Sequence, residues 1–599
     1  MKRVWTGCNE CNDQSRFEPL EDRRMFAGGT LDPTFGVAGT AKPNLGFSAI
    51  DMAVQPDGKT LALGKLNNDW VVARLDAKGA LDRSFGGGDG MASVRFDEDP
   101  SPERIAIQPG GKIVVAGIRT SDSIVKGVLF LGDTEVVMAR FKADGQLDAG
   151  FGSGGKLAVL GGKKFHYGLS NLAVQPDGKI VFAAGDEHVR TPIFVLVHSD
   201  ANFVVARLNA NGTPDTTFGQ FAPFNQSKRL GFVDTDMDGN DIPSAVFVQA
   251  DGKIVVGGTK DGNFDVAPIG SSDDDFGPHQ FLVARYNANG TLDKSFDGNG
   301  KLATDMAGNR INDFDRLTSV VAQPDGRIIA GGFARGSFAM VRYNVNGSID
   351  TRFLGGRVFT NLSTGGDLIH SLHLDARGNI TAVGATGTNG QNGTQGTKLV
   401  AVQYLANGTL DRSFGSSGVA TLASGKINVG GAARSPGGKI VVANKESAQT
   451  TFVRFAQATP IVEMRDLAND QTAEGSLNPA AILIRRDFAY DFPTRVFLDV
   501  SGSAAEGVDY TSPALHRAPI ISVPKTNGGP SGGLVPVQLQ FKYFIDIPAG
   551  ADFVVAEVFA KTDALHEGDE NIHWAPVADV SYQLGAGNAG HVLIHDVLP

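Results

Sequence analysis

One hexapeptide pattern, L-D-x-x-F-G, returns along most of this chain and constrains the fold more than any other feature. It reads LDPTFG at Leu31, LDRSFG at Leu81, LDAGFG at Leu147, PDTTFG at Pro214, LDKSFD at Leu292, IDTRFL at Ile349 and LDRSFG at Leu410. A second pattern, Q-P-D-G-K and an apolar run, begins at Gln55, Gln108, Gln175, Gln249 and Gln323, and in degraded form at Asp375 and Ser435. A third is an apolar run closing on arginine: Arg74, Arg140, Arg207, Arg285, Arg342 and Arg454, with Gln403 in the sixth copy. The three recur in fixed order between residues 31 and 457. Fixed-period self-similarity of this kind means repeated supersecondary units that bury their faces against one another.

Turn chemistry parses each unit. P-D-G is a tight turn, proline presetting φ and glycine supplying a positive one. The runs between turns are short and rich in β-branched residues, as strands require. Glycine at 77 of 599 residues, about 13 % against a usual ~7 %, fits many such turns. Four strands per unit predict an all-β fold, a seven-bladed β-propeller of four-stranded blades over 31–457, with a linear β-solenoid as the rival. The repeated arginines and Phe35, Phe85, Phe151, Phe218, Phe296, Phe353 and Phe414 then read as scaffold. Each arginine is expected beside the aspartate of an L-D-x-x-F turn, and each phenylalanine in a core between blades.

The LDxxFG, QPDGK and VVARY combination resembles the delta-60 repeat family of bacterial proteins, and that resemblance adds no chemistry. Segment Arg16–Gly29, with Phe17-Glu18-Pro19-Leu20-Glu21 and Arg23-Arg24, resembles the LEPR-XLL type N-terminal segment of exported bacterial proteins. It implies a leader over 1–30 and an extracellular or cell-surface location. Cys8 and Cys11 form a CxxC without the second ligand pair a zinc site needs, and read as part of that leader.

Beyond Gln457 the composition shifts. Residues 458–599, with VFLDVSGSAAEGVDYTS, IDIPAGADF and HEGDENI, resemble a Calx-beta domain, an Ig-like β-sandwich. The resemblance implies a calcium site at positions Glu474, Asp509, Asp563, Glu567, Glu570 and Asp596. A second calcium candidate is DTDMDGND, where Asp234, Asp236, Asp238 and Asp241 flank Gly239 in the D-x-D-x-D-G spacing that opens a calcium loop; position twelve is Ala245 in place of an acid.

Net charge of −11 argues against nucleic acid as partner, and no apolar run reaches the ~20 residues of a membrane-spanning helix. Enzyme motifs fall away. Gly529-Pro530-Ser531-Gly532-Gly533 lacks the strand–elbow–helix context of a nucleophile. Gly152-Ser153-Gly154-Gly155-Lys156-Leu157 has leucine where a phosphate loop needs Ser or Thr. His566, His573, His591 and His595 lack metal-ligand spacing. Loops differ most on the face opposite the P-D-G turns, after Gly117, Gly185, Gly258 and Gly384 and around Phe232–Pro243. The expectation is a non-enzymatic exported scaffold binding an extracellular protein or glycan through that face, with calcium stiffening its loops. An extracellular hydrolase or lyase using the channel, revealed by unrepeated carboxylates or histidines at its mouth, and a passive envelope spacer are the alternatives.

Overall fold

The computed structural model describes residues 29–595 apart from 121–122, 126–127, 131–133, 164, 194–195, 223–224, 262–278, 307, 309–313, 376–377, 388–394, 436–437, 447–448, 457–460, 467–470, 474–478, 487–493, 503–509, 513–515, 521–539, 548–552, 561–569, 577–582 and 589. Up to residue 455 its regular structure is strand, apart from short 3-10 turns, in antiparallel sheets that follow chain order. The first sheet runs Asp51–Val54, Thr60–Leu66, Asp69–Leu75, Met91–Arg95. The second runs Ser101–Ile107, Ile113–Thr120, Thr134–Phe141, Lys156–Lys163. The third begins with Phe165–Leu169 and Ala173–Val174 against Ile180–Ile193, then adds Leu196–Leu208 and Phe232–Thr235. Asn240–Val248, Ile254–Asp261, Gln280–Tyr286, Lys301–Thr304 form the fourth, and Arg316–Ala322, Ile328–Ala334, Ser337–Tyr343, Arg357–Thr360 the fifth.

A seven-stranded sheet follows. Asp367–Leu374, Ile380–Thr386 and Gln395–Tyr404 lead to the long strand Val419–Arg434, which serves twice. Its first half pairs with Gln395–Val402, and its second half pairs with Ile440–Asn444. Ile440–Glu446 and Gln449–Phe455 continue the sheet, and its edge is Thr40–Ala41 from the start of the chain.

This arrangement differs from the parsing by sequence unit. The strand after each L-D-x-x-F-G turn closes the sheet of the preceding unit, so the sheets are offset from the repeats by one strand. Asp82 makes this plain: its N–H donates to the Arg74 carbonyl (2.8 Å), holding the turn as a hairpin within one sheet. The offset leaves one strand over at the start of the repeat region and one short at its end, and Thr40–Ala41 supplies the edge that the last sheet lacks.

The local chemistry is as the residues dictate. In each Q-P-D-G-K turn the glutamine N–H bonds the carbonyl four residues on, and the glycine N–H returns to the glutamine carbonyl, as in Gln249–Lys253 (2.8 Å) and Gly252–Gln249 (2.9 Å). Gly252 sits at φ +82°, which a side chain would strain. Third strands such as Ser337–Tyr343 are buried at every position because a neighbouring sheet covers each face. Outer strands alternate, as in Met91–Arg95.

The hydrophobic clusters lie between consecutive sheets. Leu61, Trp70 and Phe85 of the first sheet pack with Ile105, Val115 and Val137 of the second. Further clusters join the second sheet to the third, the third to the fourth, and so on along the chain. The succession returns on itself: Met52, Ala62 and Ala73 of the first sheet pack with Val441, Ala443 and Phe452 of the last. The expected phenylalanines sit in these clusters, six of them fully buried and Phe414 4 % exposed.

Residues 461–595 form two further sheets. One orders Tyr510–Thr511, Phe553–Ala560, Ala480–Arg486, Ile461–Asp466 and Gln583–Asn588. The other orders Gln471–Ala473, Gly590–His595, Glu570–Pro576, Thr494–Gly502, Gln540–Ile547 and His516–Ile520. Met464, Ile482, Ile484 and Val558 from the first share a core with Val496, Leu498, Ile545 and Trp574 from the second.

Candidate functional site

The repeated polar residues stay structural. Arg74, Arg140, Arg207, Arg285 and Arg454 each place Nε 2.7–2.9 Å from the aspartate of an L-D-x-x-F turn, and Arg342 does so at 3.1 Å. The guanidinium lies 4.4–4.7 Å from the centroid of that turn's phenylalanine. A third bond crosses to the next sheet: Arg74 to the Ala143 carbonyl, Arg140 to Ala210, Arg207 to Ala288, Arg285 to Val345 and Arg342 to Ala406. Arg454 donates to Ala77 (2.7 Å), across the join between the last sheet and the first. Burial raises the Asp32 and Asp215 carboxyls, but hydroxyl, backbone and cationic partners outweigh it and hold both at about 2. Gln403 breaks the series, and Arg434 spans that gap by bonding the Leu374 carbonyl.

Unrepeated residues gather elsewhere. First strands of successive sheets contact one another, Asp51–Val54 with Ser101–Ile107, Asn240–Val248 with Arg316–Ala322, Arg316–Ala322 with Asp367–Leu374, and Val419–Arg434 with Asp51–Val54. They surround a cavity of about 800 Å³, to which every one of these strands contributes, among them Asp51, Arg104, Asn171, Ser244, Arg316 and His370. Register shifts in the strands fall at Glu103, Ser244, Thr318, His370 and Gly430. Such bulges re-aim side chains out of the ladder.

Part of this polar lining laces one strand to the next. Asp51 Oδ2 accepts the Ile105 N–H (2.9 Å) and Glu103 Oε2 the Leu169 N–H (2.7 Å). Asn171 bonds both the N–H (2.7 Å) and the carbonyl (2.9 Å) of Val246. Thr318 donates to the Ile369 carbonyl (2.6 Å), and Ser319 accepts the Leu372 N–H (3.1 Å).

The rest is charge and imidazole. Burial pushes the Asp51 carboxyl up, opposed by Arg104, the Ile105 and Met52 N–H groups and Lys445. Burial pushes Lys445 down, with Asp51 opposing and Arg104 adding to the shift. His370 is driven to about 4 by burial and by Arg316, Lys445 and Arg104. Its Nε2 is buried with no hydrogen-bond partner. His373, also near 4 through burial and Arg434, meets Ser371 Oγ at 3.0 Å. The sequence reading found none of these residues. Their only signal was the positions of the first strand in which the copies disagree, read as one column.

The acidic segment at 232–243 is two strands around a four-residue turn, not a long loop, because Asn240–Pro243 pairs with Gly258–Asp261. Its carboxylates do not share one centre. Asp234 accepts from Asn202 Nδ2 (2.9 Å), and Asp236 accepts the Asp238 N–H (2.7 Å). Lysine ammonium groups occupy the turn's carbonyls, Lys301 on Asp236 (2.9 Å) and Lys260 on Asp238 (2.5 Å). Asp241 is fully buried, with Oδ2 on the Met237 N–H (2.7 Å), and burial first, then Asp236 and Asp238, push its carboxyl to about 8. No group of three or more His, Cys, Asp or Glu among the described residues is placed to hold a metal ion. Glu474, Asp509, Asp563, Glu567 and Asp596 lie outside the described residues, as do Cys8, Cys11, residues 16–28 and 529–533. Glu570 opens the strand Glu570–Pro576.

Among the described residues no helix is long and apolar enough to cross a membrane. A family model described as a β-propeller domain of unknown function (DUF5122) matches residues 55–85, 108–151, 194–218, 269–296 and 323–353. No curated protein matches the chain in sequence. Similar solved structures include an apo-form Calx CBD1 domain (15 % identity over 23 % of this chain and 99 % of that one, TM-score 0.16). Others are the polysaccharide lyase Uly1 (10 %, 74 % and 96 %, 0.37) and prolyl oligopeptidase B from Galerina marginata (10 %, 74 % and 55 %, 0.36). At these scores the structural likenesses carry no functional argument. Stretches in the first five repeats of this chain match a β-propeller family of unknown function, and the repeats form an all-β succession of mostly four-stranded sheets.

Proposed function

We propose that the chain is a non-enzymatic, exported ligand-binding scaffold: a seven-bladed propeller closed by Thr40–Ala41, followed by an Ig-like, Calx-beta-like sandwich. The propeller takes its ligand in the axial cavity, from the face opposite the P-D-G turns. One observation carries this reading: the first strands of the sheets converge on a single cavity of about 800 Å³, within the size range of ligand pockets, lined by the unrepeated polar residues Asp51, Arg104, Asn171, Ser244, Arg316 and His370. Everything repeated serves the frame, and the unrepeated residues concentrate where a ligand would sit.

The test is a thermal-shift and calorimetric screen of the full chain against organic acids, sugar acids, neutral sugars and peptides. Ser244→Trp serves as a plug, since Ser244 lines the cavity at a bulge. Ligands found in the screen should lose at least tenfold in affinity with the plug. Full retention by the plugged chain would move the site out of the channel.

A hydrolase or lyase using the same channel is the second reading, favoured by the Ser371–His373 contact beside His370 and Asp51. Release of reducing ends or unsaturated products from polysaccharides, abolished by His370→Ala, would establish it. The calcium proposals for both domains are read by the same thermal shift with calcium against chelator.

A further inference from the structure

We infer that the channel mouth is an oxyanion site, taking the carboxylate or sulfate group of a small organic ligand on Arg104, Lys445, Arg316 and His370. The inference rests on the channel being the ligand site and specifies its chemistry.

These four residues come from four different strands. Arg104 stands beside the bulge at Glu103, His370 is itself the bulged residue, and Arg316 opens the first strand of the fifth sheet. Lys445 lies on the strand Ile440–Glu446, beside the second half of Val419–Arg434. Its stem packs over Gly430, which lines the cavity: a Cβ there would lie 3.0 Å from both Cγ and Cε of Lys445 and 2.3 Å from the Ala49 carbonyl oxygen. The glycine pair at 430–431 therefore leaves the space that the lysine stem uses.

The carboxylates nearby are engaged elsewhere. Asp51 accepts the Met52 N–H with Oδ1 (2.9 Å) and the Ile105 N–H with Oδ2 (2.9 Å). Glu103 holds the Leu169 N–H, and Asp315 holds the Met306 N–H (2.7 Å). Among the described residues neither Arg104 nor Lys445 forms a carboxylate ion pair within 4 Å, although both act on Asp51 through space. At His370 the charges that act are all cationic. Burial first, and these cations after it, keep the imidazole neutral, with a buried Nε2 that has no protein partner. Converging cations with a hydrogen-bonding imidazole are complementary to an oxygen anion, and the low local dielectric strengthens each contact.

The test is a histidine NMR titration of the full chain, with His370 assigned by the signal lost in His370→Gln. Probes are sodium sulfate, acetate and glucuronate, with glucose as the neutral control. Occupancy by an anion should raise the His370 midpoint by about one unit or more, since a negative charge favours imidazolium. Arg104→Gln and Lys445→Met, which keep the aliphatic stems, should each weaken the anion tenfold or more while the other histidine signals stay in place. A carboxylate-only response identifies an organic acid as the source, and an equal response to sulfate identifies a sulfate ester. If glucose binds as well as glucuronate and the Arg104 and Lys445 variants bind normally, the oxyanion inference fails and the channel reading survives. If ligands bind the Ser244→Trp chain unchanged, the channel reading itself fails.

Discussion

Arg285→Met tests whether the repeated arginines hold the frame together. Arg285 is 1 % exposed and reaches three partners: Asp293 at 2.8 Å, the Ser295 hydroxyl at 3.2 Å and the Val345 carbonyl of the next sheet at 2.7 Å. Breaking a buried ion pair from one side costs about 3–5 kcal/mol, because the remaining charge is stranded. Lys253 still stands 3.5 Å from Asp293 and the Ser295 hydroxyl still bonds it, so the lower end, about 3 kcal/mol, is expected. At ~2.1 cal/mol/K per residue, a propeller of roughly 430 residues unfolds with an entropy near 0.9 kcal/mol/K. The cost then corresponds to a drop in Tm of about 3 °C, read by calorimetry together with urea unfolding. The double variant Arg285→Met/Asp293→Asn removes the stranded charge while keeping an oxygen for the Ser295 N–H, and should recover half the loss or more. A single variant within about 0.5 kcal/mol of the parent, or a double variant as unstable as the single, would refute the argument.

Gln403→Arg restores to the sixth copy the cation that Asp32, Asp82, Asp148, Asp215, Asp293 and Asp350 each possess, and should stabilise the chain by about 0.5–1.5 kcal/mol, one new hydrogen bond's worth, by differential scanning fluorimetry. Removing residues before Lys42 deletes Asp32, Phe35 and the closing strand, leaving Arg454 without its carboxylate; unfolding free energy should fall by more than about 3 kcal/mol, and an unchanged Tm would disprove edge closure. Asp32 and Asp215, held at about 2 and so below the unfolded carboxylate value, stabilise fully above about pH 4, and that stability should drain as pH falls toward 2, visible as a steep acid limb in the Tm profile. Asp241 has the opposite sign: its carboxyl titrates near 8 when folded, so folding takes up a proton and its contribution to stability declines as pH rises from about 4 to 8. Asp241→Asn should therefore raise Tm at pH 8 relative to the parent while leaving pH 4 nearly unchanged.

Much of the frame could be read from residues alone because the interactions that build it are short in sequence. Every arginine of the series except Arg454 meets an aspartate eight positions on, and each P-D-G turn closes on itself, so copies of the same string form copies of the same local structure. Strand order was equally legible, since antiparallel neighbours joined by tight turns leave little choice. The offset of the sheets from the repeats was not legible. Both framings satisfy the same turns, and the strand pairings decide between them, Asp69–Ala73 with Met91–Arg95 in the first sheet and Thr40–Ala41 with Phe452–Val453 in the last. The surroundings of the acidic segment were not legible for a related reason: D-x-D-x-D-G spacing specifies carboxylates but not what faces them, and the fold sets Lys260 and Lys301 on the carbonyls of that turn.

The sequence by itself determined an all-β repeat whose conserved polar residues are structural, because repetition and i-to-i+8 contacts are local properties. Tertiary structure alone decided where unrepeated chemistry converges. Asp51, Arg104, Arg316 and His370 come from four sheets and line one cavity, and Lys445 acts on Asp51 and His370 only because the last sheet packs on the first. That convergence depends on bulges and on the absence of a side chain at Gly430, and neither carries a signature in the order of residues.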